Sequence, residues 1–213
     1  MPAGSVKIRQ TPMTAQKRPY RKQRRAESEE LTRLRITEST VDLHGTIGPA
    51  RTSISAVADH AGVRRSTVYR HFPDEAALFA ACSSHWMAAN PWPDPAAWAA
   101  IRDPEQRLGT ALRELYAYYQ ATEPMMANLH RDEATVPIVR QLFAGFHGYL
   151  AGARDVLMKG RRLRTPDRRQ TQAAIGHALA FATWRSLTVE QGLTCSQAAD
   201  LMRRLAQLAS GGG

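Results

Sequence analysis

Apolar residues between positions 26 and 90 recur at three- and four-residue intervals, in bursts of unequal length. Leu31, Leu34, Ile36, Val41 and Leu43 form one such stripe, and Gly45 and Gly48 end it. The spacing predicts a first helix of about five turns from Ala26. A loop through Pro49 leads to Thr52 and Ser53, either able to cap a second helix whose core face is Ile54, Val57, Ala58 and Ala61. Gly62 supplies the left-handed residue that ends it. After Val63 and Arg64, a third helix of roughly two turns carries Val68 and Phe72 at i and i+4, facing the same core. Pro73 and Asp74 start a fourth, running through Leu78, Phe79 and Trp86 until NPWPDP stops it near Asn90.

Downstream the period stays helical over 105–121, 124–131, 136–159, 167–191 and 196–209, with breaks at Pro124, Thr135, Thr165-Pro166 and Gly192. No alternating strand pattern occurs, so the expected class is all-α. The proline cluster divides the chain: a helix-turn-helix unit over 26–73, a connecting helix over 74–90 and a larger helical bundle over 91–213. Residues 1–25 mix Gly, Pro, Ser, Thr, Lys and Arg without periodicity, a composition that cannot bury enough apolar surface to offset ordering entropy, and read as a disordered arm.

Charge narrows the partner. The 213 residues carry a formal net charge of +10, which favours an anionic partner: nucleic acid, an anionic membrane surface or an acidic protein. The arm concentrates the excess, with Lys7, Arg9, Lys17, Arg18, Arg21, Lys22, Arg24 and Arg25 and no Asp or Glu. Cys82 and Cys195 are the only cysteines and lack metal-type spacing, which fits a reduced cytoplasmic setting. No apolar run approaches the ~18 residues needed to span a bilayer, and no apolar h-region follows the N-terminal charges, so no membrane association is expected.

The stretch ISAVADHAGVRRSTVYRHF, residues 54–72, joins the pattern to a chemistry. Helix, short turn with Gly, helix is the helix-turn-helix unit, in which the second helix lies in the major groove with its N-terminal side chains against base edges. The side chains offered there are Arg64, Arg65, Ser66 and Thr67. Arg pairs bidentately with guanine, Ser and Thr contact bases or phosphates, and Tyr69 and His71 can donate to phosphate oxygens from the flanks. Tyr69 also admits a blander role, packing its ring and meeting solvent.

GVRRSTVYRHF, with Ala58, Gly62 and Val68 at helix-turn-helix spacing and a long helix before it, resembles the TetR family of transcriptional repressors, most strongly over residues 31–79. The resemblance implies an all-α homodimer: an N-terminal three-helix DNA-binding domain, a connecting fourth helix, and a larger ligand-binding and dimerisation domain whose small-molecule effector releases double-stranded operator DNA. It also implies that Arg64 to Thr67 touch bases while Thr52, Tyr69 and His71 fix the phosphate backbone. Two positions depart from the family's habit. Arg64 stands where a small polar cap is usual, and Glu75 where a Lys often meets phosphate. The basic arm, with Arg24 and Arg25 at its end, is positioned to replace that contact by following the minor groove, or else is a solubilising tail.

The implied effector pocket has large and adaptable candidates, of which Tyr119, Met126, Phe146, His177 and Trp184 are expected to line it, for an apolar, aromatic or anionic ligand. Dimerisation is expected on the last two long helices, where Ala173, Gly176 and Ala182 permit close approach and Leu201, Leu205 and Leu208 give an apolar face to a palindrome-binding dimer. His130, Asp132 and Glu133 lack a partner motif for metal or kinase chemistry and read as surface groups. The basic run KGRRLRTPDRR, residues 159–169, reads as a solvated loop. No nucleophile, paired carboxylate or phosphate loop can be named, so neither catalysis nor a cofactor is expected. A sequence-tolerant nucleoid-type binder, or less readily a helical enzyme, are the other readings.

Overall fold

The computed structural model describes residues 17–210, less the side chains of residues 17–19 and 21. Every regular element among them is helical. The first, α1 (Lys17–Thr46), starts before the expected Ala26, so residues 17–25 of the basic arm are helix and residues 1–16 lie outside the described residues. Its sequence there consists mainly of good helix formers, and neighbouring turns are tied at i,i+4. Arg25 Nε meets Glu29 Oε1 at 3.2 Å, Gln23 donates to Glu27 at 3.0 Å, and the Arg24 guanidinium lies 5.8 Å from the Tyr20 ring centre.

The buried face of α1 takes in only part of the expected stripe, Ile36 fully and Val41 and Leu43 in part. Leu31 and Leu34 are exposed, whereas Ile36, Thr37, Ser39, Thr40 and His44 are buried. The hydroxyls of Thr37 and Thr40 donate to the carbonyls four residues back, Arg33 O and Ile36 O, at 3.0 and 2.8 Å. A threonine that satisfies itself this way presents its methyl to the core.

Helices α2 (Ile54–His60) and α3 (Arg65–His71) follow a single 3₁₀ turn at Pro49–Arg51. Ser53, not Thr52, caps α2, accepting from Ala56 N–H at 3.2 Å. At its other end Gly62, at φ +62°, donates to Asp59 O at 3.1 Å while Val63 N–H donates to Ala58 O at 2.9 Å. That pair of bonds is the Schellman stop and sets the angle between α2 and α3. Asp74 caps α4 (Glu75–Ala89), accepting from Ala77 N–H at 2.7 Å. Ile36, Ile54, Val57, Ala58, Ala61, Val68, Phe72 and Leu78 close one small core among these four helices.

The proline cluster is docked on the larger bundle. Trp92 packs 4.9 Å from the Tyr149 ring and 5.5 Å from that of Phe146, and the Tyr149 hydroxyl donates to Pro93 O at 2.9 Å. It leads into a helix the sequence pattern did not mark, α5 (Pro95–Ala99), whose fully buried Trp98 donates its indole N–H to Glu114 Oε2 at 2.6 Å.

The second core forms around α6 (Pro104–Asp132), which packs on α1, α7 (Pro137–Met158), α9 (Phe181–Arg185) and α10 (Cys195–Leu208). α6 does not break at Pro124. An interior proline costs about 3 kcal/mol, but Pro124 and Gln120 are exposed, so water reaches the freed carbonyl, while buried Tyr116, Tyr119, Thr122, Met125, Met126 and Leu129 hold the helix on both sides. The expected 167–191 helix does break, after α8 (Thr165–Leu179), at the extended residue Ala180, and resumes as α9 and a π-helical turn over Ser186–Glu190. Carbonyls freed at the break have buried donors: Tyr116 hydroxyl to Ala178 O at 2.9 Å, Tyr119 hydroxyl to Leu179 O at 2.7 Å, Thr183 hydroxyl to His177 O at 2.6 Å. α10 opens on a capping box between Thr194 and Gln197. Within the 159–169 run, Arg161 is buried rather than solvated, bound to Glu105 and to Pro104 O and Leu157 O.

The two cores are clamped where α6 ends. Asn128 donates its amide to His44 O at 3.0 Å and Gly45 O at 2.8 Å, and Arg131 donates to Ile47 O at 3.0 Å. Asp132, buried rather than a surface group, accepts from Ala50 N–H at 2.9 Å and from Arg131 Nε at 2.8 Å. Burial alone would raise the Asp132 carboxyl; the Arg131 guanidinium and the Ala50 N–H outweigh it and hold its pKa below the usual value. The clamp requires Gly48, at φ +90° and ψ 159°, because a Cβ there would run into the Arg131 guanidinium and the Asp132 carboxylate. His130 is also drawn inward, its ring stacked 4.8 Å from Phe181, and burial, then the neighbouring His147, lowers its pKa to about 4.

Candidate nucleic-acid interface

Val68 and Phe72, 0 % and 1 % exposed, anchor α3 in the small core and so decide what it shows outward. Arg64 at its N-cap, Arg65, Ser66, Tyr69 and Arg70 are exposed, and Thr67 is half-buried. Arg64 makes no capping bond with its side chain, and the first turn contains no carboxylate. The outward surface is thus three guanidiniums, hydroxyls and a phenol around a helix N-terminus. It can donate to anionic oxygens and to the acceptor edge of guanine.

Two expected contacts sit differently. The Thr52 hydroxyl is half-buried and donates to Gly48 O at 2.8 Å, so its proton is committed and it has only lone pairs to offer a phosphate. His71 is half-buried against α1 and its Nε2 is buried without a partner among the described residues, so the ring is turned into the seam between α1 and α3. Burial, with Arg70 next, lowers its pKa. His71 serves through its backbone instead: its carbonyl accepts from Arg33 Nη1 at 3.0 Å, while the Arg33 guanidinium lies 4.5 Å over the Phe72 ring. A cation on the last carbonyls of α3 complements the helix dipole and fixes the helix end.

Sequence reasoning missed Arg33 and gave Arg70 no role. Arg70 shares the outward side of α3 with Ser66 at i, i+4. Arg33 lies three residues before Ile36, on the inward side of α1, and a cation among buried positions was the signal available. Arg24 and Arg25 are exposed on α1, about 12–14 Å beyond Arg33 at 1.5 Å per residue. Their part of α1 therefore runs on past the end of α3.

The expected effector residues divide. Tyr119, Met126, Phe146 and Trp184 are buried and close together, with the Tyr119 ring 5.8 Å from Trp184 and 6.5 Å from Phe146. His177 is exposed on α8, its ring and carbonyl beside Thr183. The expected dimer side remains open in the single chain, with Leu205 and Leu208 exposed on α10 and Ala173 and Ala182 exposed on α8 and α9. No group of three or more His, Cys, Asp or Glu suited to a metal occurs among the described residues, and none of their helices is long and apolar enough to cross a membrane.

Comparison with known proteins agrees with this geometry. Residues 36–82 match the family model of bacterial regulatory proteins, tetR family. No curated protein sequence matches the chain. Among solved structures, a TetR-like transcriptional regulator from Rhodococcus sp. RHA1 superposes with a TM-score of 0.63 at 19% identity, over 85% of this chain and 97% of that one. A TetR transcription regulator from Haloarcula marismortui gives 0.54 at 15% identity, over 85% and 97%. Residues 36–82 thus carry the helix-turn-helix domain of the tetR family of bacterial regulatory proteins, and the chain as a whole has the all-helical fold of TetR-like transcriptional regulators.

Proposed function

We propose that the protein is a ligand-responsive repressor that binds an inverted-repeat operator as a homodimer, in the cytoplasm and without catalytic activity. The observation that carries this reading is the face of α3, where Arg65, Ser66, Tyr69 and Arg70 stand out from an anchored helix. In this reading Arg64 to Thr67 and Arg70 meet bases, Tyr69 meets phosphate, and Arg24 and Arg25 extend the contact along the duplex. The working units are residues 26–73 for DNA, 74–90 as connector and 91–213 for response and pairing.

The apolar stripe of α10 supports a dimer, since half-buried Leu201 and exposed Leu205 and Leu208 repeat at i, i+4, i+7 beside the small residues of α8. A pair of chains joined there presents two recognition helices to two half-sites. A ligand placed among Tyr119, Met126, Phe146 and Trp184 would have to part ring contacts that already fill that space.

Selection of bound sequences from a random duplex pool tests the reading. The expected winner is an inverted repeat bound ~10³-fold or more over a scrambled control. Arg65→Ala should relax the preference at one base pair by on the order of 1–3 kcal/mol. Strong, salt-labile binding to every sequence would replace the reading with a nucleoid-type one.

A further inference from the structure

We propose that the cleft between the helix-turn-helix module and the first turn of α7 is the effector site, for a compact, mostly apolar molecule that carries a hydrogen-bond donor and no negative charge. The site depends on the DNA-binding reading for its consequence and not for the binding itself. The cleft encloses about 330 Å³, at the low end of small-molecule pockets of roughly 300–1,000 Å³. A volume of that size suits a compact molecule of about one ring.

Three parts supply its walls: Ile54 and Val57 from the module, Phe79 from the connecting helix α4, and Val136, Pro137 and Ile138 from the start of α7. Two of the three hydroxyls on those walls act as acceptors, while Ser53, which accepts from Ala56 N–H, keeps its own proton. The hydroxyls of Thr40 and Thr52 have their protons on Ile36 O and Gly48 O, both at 2.8 Å, which leaves lone pairs for a guest. Glu75, also in the lining, is exposed and has no ion-pair partner among the described residues. Its carboxylate suits the first turn of α4 as well, but with the two threonines it makes the cleft favour donors. His44 adds no positive charge, since burial lowers its pKa to about 4 against an opposing pull from Asp132, and the lining contains no Lys or Arg. An anion finds no formal positive charge there and meets the Glu75 carboxylate. Glu75, which departs from the phosphate-binding habit of its family, is thereby given a part.

The cleft is placed to control DNA binding. Pro49 and Thr52 line it and flank Ala50, the residue that Asp132 grips. A guest that widens the cleft pulls on the clamp and turns α2 and α3 against α6. Operator affinity then falls.

The test uses the full chain, labelled on isoleucine methyls, first without DNA, titrated with benzylamine, benzyl alcohol and benzoate. Ile54 and Ile138 line the cleft, whereas Ile175 is buried in the other core and reports on it. The expected result is that the Ile54 and Ile138 signals move together with the amine and the alcohol, that Ile175 stays, and that benzoate moves none of them. Ala76→Trp, at an exposed position of the lining, should abolish the movement and leave Ile175 in place. Movement of Ile175 alone, an equal response to benzoate, indifference to Ala76→Trp, or no response of Ile54 and Ile138 would each overturn the site. With the selected operator, saturating amine should weaken binding by about 5- to 150-fold; an unchanged affinity would overturn the effector role. If the pool yields no operator, the methyl results still decide the site, so the two readings fail separately.

Discussion

Gly48→Ala is the perturbation that the clamp predicts most sharply. At φ +90° and ψ 159°, Gly48 occupies a backbone region open essentially to glycine alone, and placing another residue there costs about 1–3 kcal/mol. The new methyl would also meet the Arg131 guanidinium and the Asp132 carboxylate. To make room, Asp132 must release the Ala50 N–H, a charge-assisted bond whose loss costs about 1.5–3 kcal/mol. Together these give about 2.5–6 kcal/mol, a large part of the 5–15 kcal/mol typical of a folded domain. Gly62→Ala is the control. It too sits at positive φ, +62°, but nothing lies within 4 Å of its added Cβ, so only the left-handed backbone is charged, about 1–2 kcal/mol. Urea denaturation of both variants reads the difference, and the operator titration reads its transmission. Gly48→Ala should lose more stability than Gly62→Ala and should bind DNA more weakly at temperatures where it is still folded. If the two variants unfold together, the collision at the clamp does not exist and the coupling between the cores must be sought elsewhere.

Two further outcomes are expected. Arg33→Ala removes the bond to His71 O and the cation over Phe72, worth about 1–2 kcal/mol together; amide exchange over residues 69–72 should quicken and DNA affinity fall alike for all sequences, whereas unchanged exchange would remove Arg33 from the support of α3. Burial lowers the pKa of His44 from 6.5 to about 4, so the unfolded chain binds the proton first. The stability this gives is full above pH 6.5 and is lost as pH falls from about 6.5 to about 4, by up to about 3 kcal/mol. His130, lowered to about 4 as well, acts in the same window. Denaturant midpoints of His44→Gln should therefore fall less steeply across that window than those of the parent chain, and equal slopes would place the loss on other groups.

The helix-turn-helix unit was legible because its determinants are local. Gly62, the cap at Ser53 and the pairs Ile54/Val57 and Val68/Phe72 act within one or two turns, and the structure seats each in the role its spacing implies. What failed depends on distant partners. Thr37 and Thr40 count as polar in any period, yet each meets its own helix's carbonyl and goes inside. Pro124 normally signals an end, but packing on either side carries α6 through it. The break at Ala180 has no Gly or Pro to announce it; its carbonyls are taken by Tyr116 and Tyr119, some sixty residues earlier. His71 was assigned from its neighbours on α3, whereas α1 decides where the ring goes.

The clamp at Asn128, Arg131 and Asp132 also constrains how such a protein can be rebuilt. DNA-reading heads look interchangeable when the chain is cut at the proline cluster, and grafting one onto a foreign sensor is an obvious route to new regulatory circuits. Here the head's connecting turn is gripped by three side chains of the sensor, and Gly48 is shaped to fit them. A graft that carries residues 17–90 alone leaves the Ala50 N–H without the Asp132 carboxylate and the carbonyls of His44 and Gly45 with no amide. Signal would then stop at the joint even in a hybrid that folds. The smallest portable head therefore includes a piece of its sensor, the last turn of α6, moved together with the turn it holds.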